Sequence, residues 1–123
     1  MSPEKTPDVI GVALCHGRVF SVGEFLRSYS RMLTLEITRK CNLNCEYCSF
    51  GKHYPRYRSH GSGTIDASIA EQAIKYHLDF PNSGRTITFY GGEPLLEFDL
   101  MSRLVLFAEE HCRNTGQAPP LLL

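Results

Sequence analysis

The sequence predicts an α/β fold, the opening portion of a parallel sheet made of two βα units and the start of a third strand. Three observations predict it. Residues 33–38 and 86–90 alternate apolar and polar side chains with the two-residue period of a strand. Each segment is followed by a stretch with helical spacing, near Asp66 and near Asp99. An apolar run, Leu121, Leu122 and Leu123, then follows Pro119 and Pro120. Strand, helix, strand, helix and strand is the rhythm of a parallel sheet with crossover helices.

Residues 1–31 form an N-terminal extension. Its first residues read as a loose end. Val9, Ile10, Gly11, Val12, Ala13 and Leu14 suggest a short strand, which Gly17-Arg18 turns back toward Val19-Phe20 as a hairpin. Residues 32–123 form the core unit. In its first strand, Leu33, Leu35 and Ile37 alternate with Thr34, Glu36 and Thr38. Residues 51–63 are rich in turn formers and read as loop.

Asp66 is suited to cap a helix running to about Phe80, because its carboxylate can accept an orphan amide of the first turn. Ile69, Ala70, Ala73, Ile74, His77 and Leu78 give that helix one buried stripe, and Pro81-Asn82-Ser83-Gly84 ends it. The second strand carries Ile87 and Phe89 on one face and Thr86, Thr88 and Tyr90 on the other. The second helix spans about 99–113, with Leu100, Met101, Leu104, Val105, Ala108 and Cys112 on one face and Gly116 as its C′ residue. Two βα units and the opening of a third strand leave strand edges unpaired, so the sequence reads as a truncated barrel. The polar faces of the two strands suit either a solvated sheet face or an open barrel lumen holding a polar ligand.

Composition narrows the function classes. With 123 residues, 42% hydrophobic and 21% charged, the chain has room for one domain and is not wholly disordered. Formal net charge is zero, so no global basic field draws in nucleic acid or an anionic membrane, and neither partner is expected. The first residues lack the charged-then-apolar order of a signal peptide, and no apolar run is long enough to span a bilayer. Five cysteines is an odd count, and three are too close together for a sensible disulfide framework. A reducing cytoplasm is the expected setting.

The chemistry centres on Cys41, Cys45 and Cys48, spaced C-x3-C-x2-C directly after the first strand. Thiolate is the soft ligand that suits iron–sulfur clusters and zinc. A structural zinc site asks for four protein ligands, and His53 or His60 could supply the fourth, so spacing alone leaves zinc open. Three thiolates on a four-iron cluster would leave one iron exposed as a Lewis acid. The second strand runs into Gly91-Gly92-Glu93-Pro94. Ligands in parallel α/β folds bind beyond the carboxyl ends of the strands, so pairing of the two strands would bring both loops to one site. Alone, Gly-Gly-Glu-Pro reads as a tight strand-to-helix turn, in which the glycines also let backbone approach a ligand closely.

Other signals are weaker. Lys52, His53, Arg56, Arg58 and His60, with Tyr54 and Tyr57, form a basic aromatic patch that reads as a solvated loop. Cys112 and His77 fall on buried helix faces, and Cys15 has no partner pattern. Glu36 is equally suited to a solvated edge or to a ligand cavity.

Together, Cys41, Cys45 and Cys48, the aromatic Tyr47 before the third cysteine, and Phe89-Tyr90-Gly91-Gly92-Glu93-Pro94 one βα unit later resemble the radical S-adenosylmethionine (radical SAM) superfamily. The resemblance runs from about Leu33 to Arg113. It implies the N-terminal part of a partial (β/α)6 barrel. It implies that Cys41, Cys45 and Cys48 each bind one iron of a [4Fe–4S] cluster, and that SAM chelates the open iron. Gly91, Gly92 and Glu93 would hold the SAM ammonium, largely through backbone carbonyls, and Tyr47 would lie near the adenine. The reduced cluster would cleave SAM to a 5′-deoxyadenosyl radical that abstracts hydrogen from substrate, with flavodoxin or ferredoxin as electron donor.

The later strands that shape the family's substrate site are not in this sequence, so the 123-residue chain alone is expected to bind a cluster weakly and to turn over little SAM. Locally the motifs are similar to the SPASM group of peptide- and protein-modifying maturases, and are also compatible with molybdopterin-precursor cyclases. The reading from another class is a non-catalytic zinc- or iron–sulfur-binding module.

Overall fold

A computed structural model describes residues 12–15, 18–21, 31–54, 59–80 and 84–123. The expected strand residues 9–11, the Gly17 turn, residues 56–58 of the basic loop and the helix stop at 81–83 lie outside them.

The described residues form two sheets. The first is the hairpin of β1 (Val12–Cys15) and β2 (Arg18–Ser21), antiparallel with Cys15 opposite Arg18. The second has β3 (Met32–Thr38), β4 (Thr86–Gly91) and β5 (Leu121–Leu122) in the order β3-β4-β5, all parallel. Helix α1 (Ala67–Leu78) joins β3 to β4 and helix α2 (Phe98–Asn114) joins β4 to β5. This is the α/β architecture that the alternation of elements predicts, and the apolar run after Pro120 is the third strand.

Both helices cover the same sheet face. One core joins Leu35 and Ile37 of β3, Ile87 of β4, Ala70, Ile74 and Leu78 of α1, and Leu104, Ala108 and Cys112 of α2. Alternation explains the strand contribution: the odd-numbered residues face the helices and the even-numbered ones face away. In register on that other face lie Thr34 opposite Thr88 and Glu36 opposite Tyr90, so it is polar.

The helix ends follow local chemistry. The Asp66 carboxylate accepts the amides of Ser68 and Ile69, and these bonds, with the Ser68 hydroxyl bond foremost, hold its pKa below the usual carboxylate value. Helix α2 ends in a Schellman motif: Gly116 sits at φ 68°, its amide donates to Arg113, and the Gln117 amide donates to Cys112.

Two expectations are corrected. Ile69 is 60% exposed, so the buried stripe of α1 is carried by Ala70, Ile74, His77 and Leu78, while Ile65, just before the cap, packs on the core. Thr38 is 1% exposed and not on an open polar face. A register irregularity between Glu36 and Thr38 moves it, and its hydroxyl is taken up by the Gly63 carbonyl at 3.1 Å and the Lys40 amide at 3.2 Å. The described part of the 51–63 loop carries no helix or strand, as expected. Its end turns back along β3, with the Arg39 amide on the Gly63 carbonyl at 2.7 Å, the Gly61 amide on the Arg39 carbonyl at 3.0 Å and an antiparallel bridge from Thr38 to Thr64.

Candidate metal and cofactor site

Parallel pairing puts the two motif loops at one end of the sheet. The cysteine loop leaves the carboxyl end of β3 and the glycine turn leaves the carboxyl end of β4. Backbone hydrogen bonds then tie the loops together. The Gly92 amide donates to the Thr38 carbonyl and the Glu93 amide to the Lys40 carbonyl, both at 2.8 Å.

The glycines are required by this approach. A Cβ on Gly92 would lie 2.0 Å from the Lys40 carbonyl oxygen. A Cβ on Gly91, whose φ is 138°, would lie 2.2 Å from the Thr38 oxygen. Pro94 opens the short 3-10 turn Pro94–Glu97, where its missing amide costs nothing, and the Glu93 carboxylate caps that turn by accepting the Leu95 amide at 3.0 Å.

Side chains reinforce the junction. Glu97 Oε1 accepts from Lys40 Nζ at 2.6 Å and from the Thr64 hydroxyl at 2.9 Å, so one carboxylate joins the root of the cysteine loop, the segment returning from it and the turn after the glycines. These two bonds, Lys40 first, hold Glu97 below the usual carboxylate range. Arg39 reaches across the same loop to the Ser59 carbonyl at 3.0 Å.

Cys41, Cys45 and Cys48 are free thiols and each is half-buried. Cys45 and Cys48 share a turn in which the Cys48 amide donates to the Cys45 carbonyl at 3.1 Å, and Gly51 donates in turn to Cys48 at 2.9 Å. Cys41 Sγ lies 3.4 Å from the Leu43 carbonyl oxygen. Tyr47 is 85% exposed, and its phenol is pushed above its usual value, first by hydrogen bonding to Cys45, then by the charge of Cys45, with Cys48 adding to it.

His60 Nε2 stands 3.7 Å from Cys48 Sγ, with its ring edge-on to Phe50. A narrow crevice between the loops is lined by Glu36, Arg39, Phe50, Ser59, His60 and Gly92. Glu36 is half-buried at its wall.

The structure therefore gathers Cys41, Cys45, Cys48, Tyr47, Gly91, Gly92 and Glu93 at one pole of the sheet. It leaves Cys112 in the core, where Arg85 Nη2 donates to its sulfur at 3.0 Å. His77 is also buried, away from this pole. Two contributors escape sequence reasoning: the Glu97 junction and the Arg39 brace. Both join residues 20 to 57 positions apart, for which no local pattern exists.

The donor set can be tested against a metal. Among the described residues, no three His, Cys, Asp or Glu side chains converge on the position of a single ion. Three soft thiolates from one loop fit a cluster in which each holds its own iron, an arrangement that needs no common point.

The sequence profile of the Radical SAM superfamily matches residues 35–123. An uncharacterised protein of Methanocaldococcus jannaschii is 37% identical over 82 residues, covering 67% of this chain and 26% of that protein. The radical SAM cyclopropyl synthase TigE of Paramaledivibacter caminithermalis is 27% identical over 94 residues, covering 68% of this chain and 19% of that enzyme. The pyruvate formate-lyase-activating enzyme of Listeria monocytogenes is 36% identical over 63 residues, covering 50% of this chain and 24% of that enzyme. The chain thus spans about a quarter or less of these relatives. With the family profile covering most of its length, and with both motif loops at one pole of a parallel sheet, the chain belongs to the radical SAM superfamily.

Proposed function

We propose that Cys41, Cys45 and Cys48 each hold one iron of a [4Fe–4S] cluster, and that SAM binds beside it against Gly91, Gly92 and Glu93. When bound, cluster and cofactor supply one-electron cleavage of SAM and the 5′-deoxyadenosyl radical that takes hydrogen from a substrate. Residues 32–123 make up this core unit and residues 1–31 an extension to it.

The observation that carries the reading is the pair of 2.8 Å backbone bonds from Gly92 and Glu93 to Thr38 and Lys40, which hold the glycine turn against the root of the cysteine loop. Backbone carbonyls in such a turn suit an ammonium, which has donors only. The Glu93 carboxylate is engaged in capping, which supports a role for its main chain. The exposure of Tyr47 beside Cys45 supports stacking on a flat ring, and we assign it to the adenine. The chain's own residues bind and orient, and fixed geometry between donor and acceptor is their contribution to rate.

A peptide or protein substrate is the preferred class. The Listeria relative is named for activating an enzyme, and TigE for forming a cyclopropyl group. A flavodoxin or ferredoxin is the proposed electron donor. No described helix is long and apolar enough to cross a membrane, and a cytoplasmic setting fits labile thiolate chemistry.

Anaerobic reconstitution with iron and sulfide tests the assignment. A brown, air-sensitive chain whose visible spectrum changes when SAM is added supports it. A colourless chain that takes up one zinc supports a non-catalytic metal-binding module instead.

A further inference from the structure

We infer that His60 is a positioning residue for the metal centre, donating from Nε2–H to the sulfur of Cys48 and so raising the reduction potential of the cluster held there. The inference rests on the cluster assignment proposed above and adds a residue to it. His60 lies outside the cysteine motif, 12 residues beyond Cys48, yet its Nε2 is 3.7 Å from Cys48 Sγ. That is within hydrogen-bonding range for the larger sulfur atom.

The ring is held in place. The His60 amide donates to the Phe50 carbonyl at 3.3 Å, and the Phe50 ring meets the imidazole edge-on at 6.2 Å between centroids. The neighbouring residues on both sides are fixed to Arg39, Ser59 through the guanidinium and Gly61 through its amide. A side chain anchored at three consecutive residues does not reach a cysteine sulfur by free rotation of a loose loop. Donors to a thiolate sulfur withdraw charge from it and favour the reduced cluster, which carries one more electron. A single thiolate would be affected, since the ring stands beside Cys48 and the described hydrogen bonds of Cys41 and Tyr47 lead elsewhere.

Two measurements test this. In the metal-free, reduced chain, the imidazole nitrogen resonances of His60 are expected to move on Cys48→Ala and to stay in place on Cys41→Ala. Unchanged resonances in the Cys48 variant would overturn the contact.

In the reconstituted chain, redox titration followed by electron paramagnetic resonance reads the potential. His60→Phe keeps an aromatic ring against Phe50 and removes the donor. It is expected to lower the reduction equilibrium threefold to tenfold, or ~30–60 mV for a one-electron couple. His60→Gln, which keeps a donor, is expected to recover part of the shift. Equal potentials in wild type and His60→Phe would overturn the inference while leaving the cluster assignment intact. Loss of the cluster in a folded His60→Phe chain would make His60 a ligand and also overturn it. A wild-type chain that takes up no cluster would overturn both.

Discussion

The Glu93 amide donates to the Lys40 carbonyl at 2.8 Å, which fixes the glycine turn one residue before Cys41. With the Gly92 bond to Thr38, it makes the distance between the two motif loops a property of the backbone, and side-chain packing adds the Glu97 junction on top.

The glycine pair should therefore tolerate no Cβ. Gly92→Ala sets a methyl 2.0 Å from Lys40 oxygen, and Gly91→Ala adds a strained φ of 138° to a 2.2 Å clash. Each is expected to cost at least ~1–3 kcal/mol, from overpacking or backbone strain. Gly116→Ala has the left-handed φ of 68° but nothing within 4 Å, so it should cost less than either. Urea denaturation midpoints of the three variants check the order.

Core assignment within α1 gives a second test. Ile74 is fully buried and Ile69 is 60% exposed. Ile74→Ala should lose ~2–5 kcal/mol and Ile69→Ala less than ~0.5 kcal/mol. If Ile69→Ala proved as costly as Ile74→Ala, the observed face of the helix would be wrong.

Burial holds the His77 pKa below its ordinary value, and the nearby Arg85 charge adds to this, against the opposing effect of the hydrogen bond that the ring donates to the Thr86 backbone carbonyl. The unfolded chain then binds more protons than the folded one once pH falls below the ordinary histidine value of about 6.5. Stability is expected to be complete above that pH and to fall as pH drops toward the lowered folded value. Asp66, Asp79 and Glu97 have lowered carboxyl pKa values, so their contributions disappear only at more acid pH. His77→Leu should remove the slope between about pH 6.5 and the carboxylate range, read from denaturation midpoints at stepped pH.

Much of the fold is legible in the sequence because it rests on local rules. Alternation in β3 and β4 fixes their faces, and Asp66 and Gly116 fix two helix ends. The meeting of the two loops is legible too, since two parallel strands in one sheet bring their carboxyl ends together.

What escapes depends on contacts between distant residues. Ile69 follows the helical period, but Ile65 already covers the core beside the cap. Thr38 reads as polar and outward until the register irregularity and the returning 61–65 segment enclose it. Glu97 is an ordinary acidic residue in sequence, and only the fold brings Lys40 and Thr64 to it.

Three cysteines are expected to act as ligands and a fourth is not. Alanine at Cys41, Cys45 or Cys48 should each abolish most reconstituted iron and sulfide, measured per chain. Alanine at Cys112, buried in the helix core, should lower stability but leave iron uptake near wild type.

The central claim is that SAM binds the iron left without a cysteine. Pulsed electron paramagnetic resonance of the reduced, reconstituted chain with SAM labelled by 15N at its methionine amine tests it most directly. Hyperfine coupling between that nitrogen and the cluster is the predicted result. A cluster spectrum identical with and without SAM, carrying no such coupling, would contradict the account.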